Sequence, residues 1–227
     1  MKLRIRYLLL LLLTACPGCM MMESGDRIEG LPVEGAEDYT AIVSVRISPT
    51  DTVYFQVDDQ TRLFPVGDQA PYRGLERILC GVRVYGETIP NYGFPAQVFW
   101  FDSLDKGVMT ADASVQGEDP VWIISDWMTS CEDGFLTLHY EAWWGELTVP
   151  HGLYLVSGLN PGDPYELWLR HDAKGDGRLK KDDALVYFDL QSLPDTGDSA
   201  ATLTLKWKNG EGQVAEKQFA YRTRRGQ

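Results

Sequence analysis

Residues 201–221 read ATLTLKWKNGEGQVAEKQFAY and carry the clearest fold signal in the chain. Apolar and polar residues alternate over Leu203–Lys208, which is the period of a half-buried β-strand, and Gln213–Phe219 is a second extended run. Asn209-Gly210 lies between the two runs, and this pair is typical of the tight turn of a β-hairpin. The stretch therefore predicts two antiparallel strands.

More strands of the same kind precede this hairpin, each bounded by turn signals such as Asp133-Gly134. They are Val121–Ser125, Phe135–Trp144, Leu153–Ser157, Glu166–His171 and Leu185–Leu190, followed by Ala201–Lys208 and Gln213–Tyr221. Short strands separated by frequent turns are typical of an antiparallel β-sandwich. We assign this domain to residues 119–227.

Another group of strands occupies residues 39–118. Its members are Ala41–Ile47, Val53–Val57, Arg62–Phe64, a longer apolar run over Leu75–Gly86, and Gln97–Phe101. Gly81 interrupts the long run, which indicates a bulge or a sharp bend. About five strands with one bent long strand predict a small closed barrel of the OB type. The fold class is therefore all-β, with the domain boundary near residue 118.

The N-terminal residues 1–15 have the pattern of a bacterial lipoprotein signal peptide. Lys2, Arg4 and Arg6 precede a leucine run, and Leu13-Thr14-Ala15-Cys16 supplies small residues before a cysteine. Cleavage would leave Cys16 as a lipid-modified N-terminus, and the alternative is a plain signal peptide cut elsewhere. We expect a cell-envelope, outer-membrane lipoprotein, with periplasmic and surface orientations both open.

Residues 16–38 lack an apolar period and predict a flexible acidic tether. The chain carries a formal charge of −12, and removing a leader with three basic and no acidic residues takes it to −15. Such a charge disfavours nucleic acid and anionic headgroups as partners. The membrane is then reached through the lipid on Cys16.

Cys80 and Cys131 either form a disulfide or remain thiols, and the sequence leaves both possibilities open.

Several segments follow the pattern of one known family. They are YFQVDD (54–59), LFP (63–65), RILCGV (77–82), DPVWI (119–123), SDW (125–127), LWLRHDAKGD (167–176) and VYFDLQSL (186–193). In these segments the chain resembles the NigD-like lipoproteins of Gram-negative anaerobes. The resemblance implies an N-terminal OB domain, a C-terminal β-sandwich and a lipid anchor, with no catalytic residue to carry over. The family name comes from a gene in a bacteriocin cluster, which makes a bacteriocin-associated, immunity-type role an alternative.

One loop partly matches a calcium-binding pattern. Asp172, Asp176, Gly177 and Asp183 fall at positions 1, 5, 6 and 12 of such a loop. Position 3 is Lys174, whose ammonium group repels a divalent cation. A solvated hairpin loop is therefore the favoured interpretation, and we expect no cofactor, with Ca²⁺ as the alternative.

The aromatic and histidine residues offer two weaker candidates. Trp143 and Trp144 are adjacent in a strand, so their side chains must point to opposite faces. Together with Tyr140 they either form a stacking platform for sugar rings or pack between the two domains. The three histidines lie in separate segments and would form a metal site only if the fold brought all of them together.

The sequence contains no Gly-x-Ser-x-Gly, His-Glu-x-x-His or glycine-rich phosphate-binding motif. We therefore expect a non-enzymatic binding or accessory lipoprotein, whose partner is an envelope protein or glycan. A glycan-binding lipoprotein of a polysaccharide uptake system is one alternative. A hydrolase with a metal in the sandwich is another.

Overall fold

The structure is a computed structural model that describes residues 37–86, 93–115, 117–145 and 149–224. The predicted signal peptide, Cys16 and nearly all of the predicted tether lie outside the described residues. Within the described ranges the chain forms fifteen strands and one short 3-10 helix, Ala70–Tyr72. No helix in the described part of the chain has both the length and the apolar character needed to cross a membrane.

The strands divide between two compact units. Of the described residues, one unit contains 37–75 together with 79–86 and 93–102, and the other contains 76–78 together with those from 103 to 224. The strands of the first unit are β1 (Glu37–Ile47), β2 (Val53–Gln56), β3 (Arg62–Pro65), β4 (Arg77–Val84) and β5 (Phe94–Ser103). The first two residues of β4 belong to the second unit.

The first unit is a closed barrel with the strand order β1-β2-β3-β5-β4. In this barrel β2 pairs antiparallel with both β1 and β3, whereas β3 and β5 run parallel. Val43, Phe55, Leu63 and Val82 fill its interior and are inaccessible to solvent. The OB-type barrel predicted from the sequence is confirmed.

Gly81 has a specific packing role in this barrel. The indole of Trp100 lies against its Cα, and a Cβ at this position would approach the indole nitrogen to 2.2 Å. Glycine is therefore required because an aromatic ring covers the backbone of β4.

The thiol of Cys80, which precedes Gly81, donates to the carbonyl of Ala41 at 3.6 Å, and burial raises the pKa of this thiol to about 12.

The second unit consists of two packed sheets. Its strands are β6 (Asp105–Lys106), β7 (Val108–Thr110), β8 (Trp122–Ile123), β9 (Ser130–Glu132), β10 (Phe135–Trp144), β11 (Gly152–Val156), β12 (Glu166–Asp172), β13 (Lys180–Asp189), β14 (Ala201–Lys208) and β15 (Val214–Tyr221). One sheet has the order β6-β13-β10-β8, with β9 also paired to β10, and the other has the order β15-β14-β12-β11-β7. The predicted C-terminal β-sandwich is confirmed.

Residues of both sheets form one core. It is built from the inward side chains of the alternating strands, including Leu136, Leu138, Leu155, Leu167, Phe188, Leu203 and Leu205. Burial of this apolar surface is the main source of stability in a sandwich. The same alternation places the odd-numbered residues of β10 on the opposite, outer face.

Two turns follow the sequence signals directly. Asp133 and Gly134 both have positive φ, at 53° and 73°, as a two-residue type I′ turn requires. Asn209 begins the turn between β14 and β15, where its amide N–H donates to the carbonyl of Gln213 at 2.9 Å. The hairpin predicted from residues 201–221 is confirmed.

Residues 103–118, which the sequence analysis assigns to the barrel, group with the sandwich in the structure. The physical reason is strand pairing: β6 runs parallel to β13, and β7 runs parallel to β11. Both strands are too short to show an apolar period in the sequence.

Candidate binding surface

The outer face of the β6-β13-β10-β8 sheet carries a row of polar and aromatic side chains. We call it the outer-face row and define it by Asp126, His139, Glu141, Asp183, Lys181, Trp122 and Trp143. Residues opposite each other on paired strands share a face, and Glu141 is paired with both Asp183 and Trp122, while Trp143 is paired with Lys181.

His139 lies at the centre of the row between two carboxylates. Its Nδ1 is 2.8 Å from Asp126 Oδ2, and its Nε2 is 2.8 Å from Asp183 Oδ2. A neutral imidazole has one N–H donor, whereas an imidazolium has two. Only the protonated ring can therefore donate to both carboxylates at once.

The loop between β8 and β9 positions Asp126. Its Oδ1 accepts the amide N–H of Met128 at 3.0 Å. The hydroxyl of Thr129 donates to the Ile124 carbonyl at 2.6 Å and accepts the His139 amide N–H at 3.1 Å. These bonds fix the loop against β10, so the Asp126 carboxylate is held beside the imidazole.

A tryptophan–lysine–carboxylate group lies next to His139. Lys181 forms an ion pair with Glu141, and its ammonium lies 3.9 Å from the ring centroid of Trp122. Trp122 also packs closely against Gly210 in the β14–β15 turn. One tryptophan of the row is thus covered by a cation, while Trp143 is partly buried and lies on the same face.

The row is accessible to solvent to different degrees along its length. The side chain of Asp183 is 58% exposed and that of Asp126 is 30% exposed, while His139 is 11% exposed. Carboxylates that flank an imidazole on an open face can accept hydrogen bonds from hydroxyl or ammonium groups of a ligand.

Farther along the same face the surface is closed by a buried arginine. The Nε of Arg77 donates to Thr137 Oγ1 at 2.8 Å, and Arg77 is 1% exposed. Burial lowers its pKa to about 10. Beside it the hydroxyl of Tyr187 donates to Glu76 Oε2 at 2.7 Å, and burial together with this bond raises the pKa of Tyr187. The open part of the face therefore ends before Thr137.

The three aromatic residues that the sequence suggests as a stacking platform do not share a surface. Tyr140 is buried in the sandwich core, where burial raises its pKa to about 12. Trp144 packs against the same core and stacks on His151 at 4.0 Å between ring centroids. Of the three, Trp143 lies on the outer face, because the side chains of β10 alternate.

The three aspartates of the calcium-like pattern have different partners. Asp172 accepts the amide of Lys174, Asp176 accepts the amide of Gly145, and Asp183 contacts His139. In the described part of the chain no group of three His, Cys, Asp or Glu side chains is arranged to hold a metal ion. The predicted hairpin loop is wrong, because β12 and β13 belong to different sheets and the segment between them crosses from one sheet to the other, with β13 beginning at Lys180.

The fold brings two of the three histidines together. His151 and His171 are in contact, whereas His139 contacts Asp126 and Asp183. Within the described residues, Cys80 and Cys131 are thiols and not half-cystines. The partnership of His139 with Asp126 and Asp183 was not found from the sequence, because it depends on strand register. The alternation of His139 within β10 was the one available signal.

Comparison with known proteins identifies the second unit. Residues 105–221 match the model of the NigD-like C-terminal beta sandwich domain. No protein with a curated description matches the chain.

Solved structures share the fold over most of the chain. A proposed toxin-related protein from Parabacteroides distasonis is 24% identical, with a TM-score of 0.65, over 81% of this chain and 94% of that one. A NigD-like immunity protein from Bacteroides caccae is 17% identical, with a TM-score of 0.54, over 80% and 96%. A proposed lipoprotein from Bacteroides fragilis is 14% identical, with a TM-score of 0.60, over 83% and 100%.

Proposed function

Because this chain belongs to the NigD-like family, we propose that it is a non-catalytic lipoprotein of the bacterial outer membrane, anchored through Cys16, that binds a partner on its outer-face row. The observation that carries the anchor is the basic, leucine-rich leader ending in Leu13-Thr14-Ala15-Cys16. The similarity in fold to a proposed lipoprotein from Bacteroides fragilis supports it.

The geometry of the histidines supports binding over catalysis. A general base needs an imidazole nitrogen that can reach substrate. Both nitrogens of His139 face carboxylates, and the side chain of His151 is 1% exposed. An open row of carboxylates next to a partly buried tryptophan is instead suited to holding a polar ligand.

The anchor is tested by metabolic labelling with an alkyne fatty acid in a Gram-negative anaerobe that expresses the full chain. We expect label on the wild-type protein and recovery in the outer-membrane fraction. The matched control is C19S, which leaves Cys16 intact and should label normally, whereas C16S should lose the label. An unlabelled wild-type protein in the soluble fraction would contradict the proposal.

A glycan is the partner class that one observation favours. Trp143 and the carboxylates of Glu141 and Asp183 lie on the same face, and aromatic rings with nearby carboxylates bind the apolar faces and hydroxyl groups of sugars. Titration with envelope and dietary oligosaccharides, followed by tryptophan fluorescence, tests this role. We expect saturable quenching that W143A abolishes.

Trp168 provides the matched control for this titration. It lies on β12 of the opposite sheet, with Lys206 and Glu166 as neighbours, which reproduces the tryptophan–lysine–carboxylate chemistry at a different place. W168A should keep the binding. Equal loss in both variants, or no quenching across the panel, would exclude a glycan site on the outer-face row.

A further inference from the structure

The barrel of the first unit carries an exposed pair of aromatic side chains. Phe99 and Trp100 of β5 are 49% and 40% exposed, and they are the aromatic members of the large hydrophobic side chains that the described part of the chain leaves exposed. Aromatic rings exposed side by side mark an interaction surface, because covering them removes a large apolar area from water. We call Phe99 and Trp100, with the neighbouring Arg83 and Asp38, the barrel patch.

A shift in strand register accounts for two neighbouring residues that both face solvent. Successive residues of a regular strand point to opposite faces. At one end of the β4–β5 pair the amide of Tyr85 donates to the Pro95 carbonyl at 3.1 Å. At the other end the amide of Leu104 donates to the Arg77 carbonyl at 3.1 Å, which is a register shifted by one residue. A β-bulge produces such a shift by setting two residues of one strand opposite one residue of the other.

The two rings are supported from below and remain open above. The five-membered ring of Trp100 lies over Gly81, where a Cβ would come within 2.2 Å of Nε1 and 2.7 Å of Cε2. The guanidinium of Arg83 lies 5.2 Å from the ring centroid of Phe99. Because these contacts already restrict both rings, little side-chain entropy remains to be lost when a partner covers them.

Asp38 neutralises the charge beside the rings. Its Oδ1 accepts a hydrogen bond from Arg83 Nε at 2.6 Å, and its Oδ2 accepts one from Arg83 Nη2 at 2.9 Å. The patch therefore presents aromatic surface next to a matched cation and anion. Zwitterionic lipid headgroups offer the same pairing of charges, and tryptophan and phenylalanine rings are stabilised at the boundary between headgroups and acyl chains. The negative charge of the whole chain disfavours an anionic surface.

The patch lies where the chain enters the barrel from the side of the proposed anchor. Asp38 is the second residue of β1, which begins at Glu37, and Cys16 precedes Glu37 by 21 residues. A chain of this length spans at most about 75 Å when fully extended, so a lipid on Cys16 keeps this end of the barrel within reach of the bilayer. A contact made by a protein that is already tethered is effectively intramolecular, so two rings suffice where a free protein would need a larger surface.

We propose that the barrel patch docks on the headgroup layer of the membrane that carries the Cys16 anchor. The two rings enter the interface, and the Asp38–Arg83 pair lies among the headgroups. This inference rests on the proposed lipid anchor and adds an orientation to it. The lipid keeps the protein on the membrane, and the aromatic contact fixes which side of the barrel faces the bilayer.

Quenching of tryptophan fluorescence by brominated lipid tests where the patch lies. The full lipidated chain is reconstituted in phosphatidylcholine vesicles whose acyl chains either carry bromine near the headgroups or carry none, and flotation is measured on the same samples. The chain has seven tryptophans. We expect bromine to quench part of the wild-type emission and W100F to lose this quenched part. The matched control W143F, which removes a tryptophan of the sandwich, should keep it.

F99S tests the contact itself, because it removes one ring and keeps the fluorescent Trp100. Phe99 is half-exposed, so the variant should fold and float, while quenching by bromine should fall by about twofold or more. If W100F does not fold, the wild-type and F99S spectra decide the question.

Flotation separates the docking from the anchor. A wild-type chain that does not float contradicts both the anchor and the docking. A wild-type chain that floats without quenching by bromine overturns the docking alone, as does a quenched component that W143F removes and W100F keeps. Quenching of Trp100 by oligosaccharides, without quenching by bromine, would assign the barrel patch to a glycan and would also overturn the proposal.

Discussion

The sandwich holds two clusters of the same composition, histidine with aspartate, in opposite environments. In the outer-face row the side chain of Asp183 is 58% exposed beside His139, whereas in the buried cluster of His151, His171 and Asp176 the side chain of Asp176 is 3% exposed beside His151. Exposed ion pairs contribute little to stability because water screens them, but a buried charge without its partner is strongly destabilising. Burial therefore assigns one cluster to holding the fold and leaves the other available to a ligand.

Removal of one aspartate from each cluster should give the widest separation between them. D176A leaves the amides of Gly145 and Gly177 and the imidazole of His151 without their acceptor, and we expect it to lower the free energy of unfolding by about 3–5 kcal/mol. D183A should cost less than about 1 kcal/mol. Urea denaturation of the two variants measures the difference, and equal losses would remove the distinction between the clusters.

The adjacent tryptophans of β10 allow the core side and the outer face of the sheet to be compared within one strand. Trp144 packs against the core and stacks on His151, so W144A should cost about 2–4 kcal/mol. Trp143 lies on the outer face, and W143A should cost less than about 1 kcal/mol while changing ligand binding. The check is thermal and urea unfolding of both variants. A destabilised W143A with a stable W144A would reverse our assignment of the two faces.

The pH dependence of stability sharpens the comparison further. The pKa of His171 is about 4 in the folded protein, below its ordinary 6.5, so the unfolded chain binds the proton more readily. Its contribution to stability is present above pH 6.5 and is lost as the pH falls toward 4, by up to about 3 kcal/mol. H171Q should lose this component of the pH profile, and H139Q should keep it.

The strands and turns could be predicted from residues near one another in sequence. Alternation identified β14, Asn209-Gly210 identified the turn that leads into β15, and Asp133-Gly134 identified the turn between β9 and β10, because both signals act over a few residues. The first half of β13, which begins at Lys180, was interpreted as loop because its residues are charged. It forms a strand because β10 pairs with it along its whole length.

The two clusters could not be predicted, because they depend on register between distant strands. His139 meets Asp126 at a separation of 13 residues and Asp183 at 44. His151 meets His171 because β11 and β12 pair with Leu153 opposite His171. A single sequence gives the composition of each strand but not its alignment with its neighbour.

Site-specific photo-crosslinking in intact cells most directly tests the proposed binding of partners at the outer-face row of an envelope lipoprotein. A photoreactive residue at position 143 of the lipidated full chain is compared with one at position 168 on the opposite sheet. We expect a discrete crosslinked species from position 143 that D126N and D183N together weaken, and none from position 168. Crosslinking from position 168 alone, or the same species from both positions, would contradict the account.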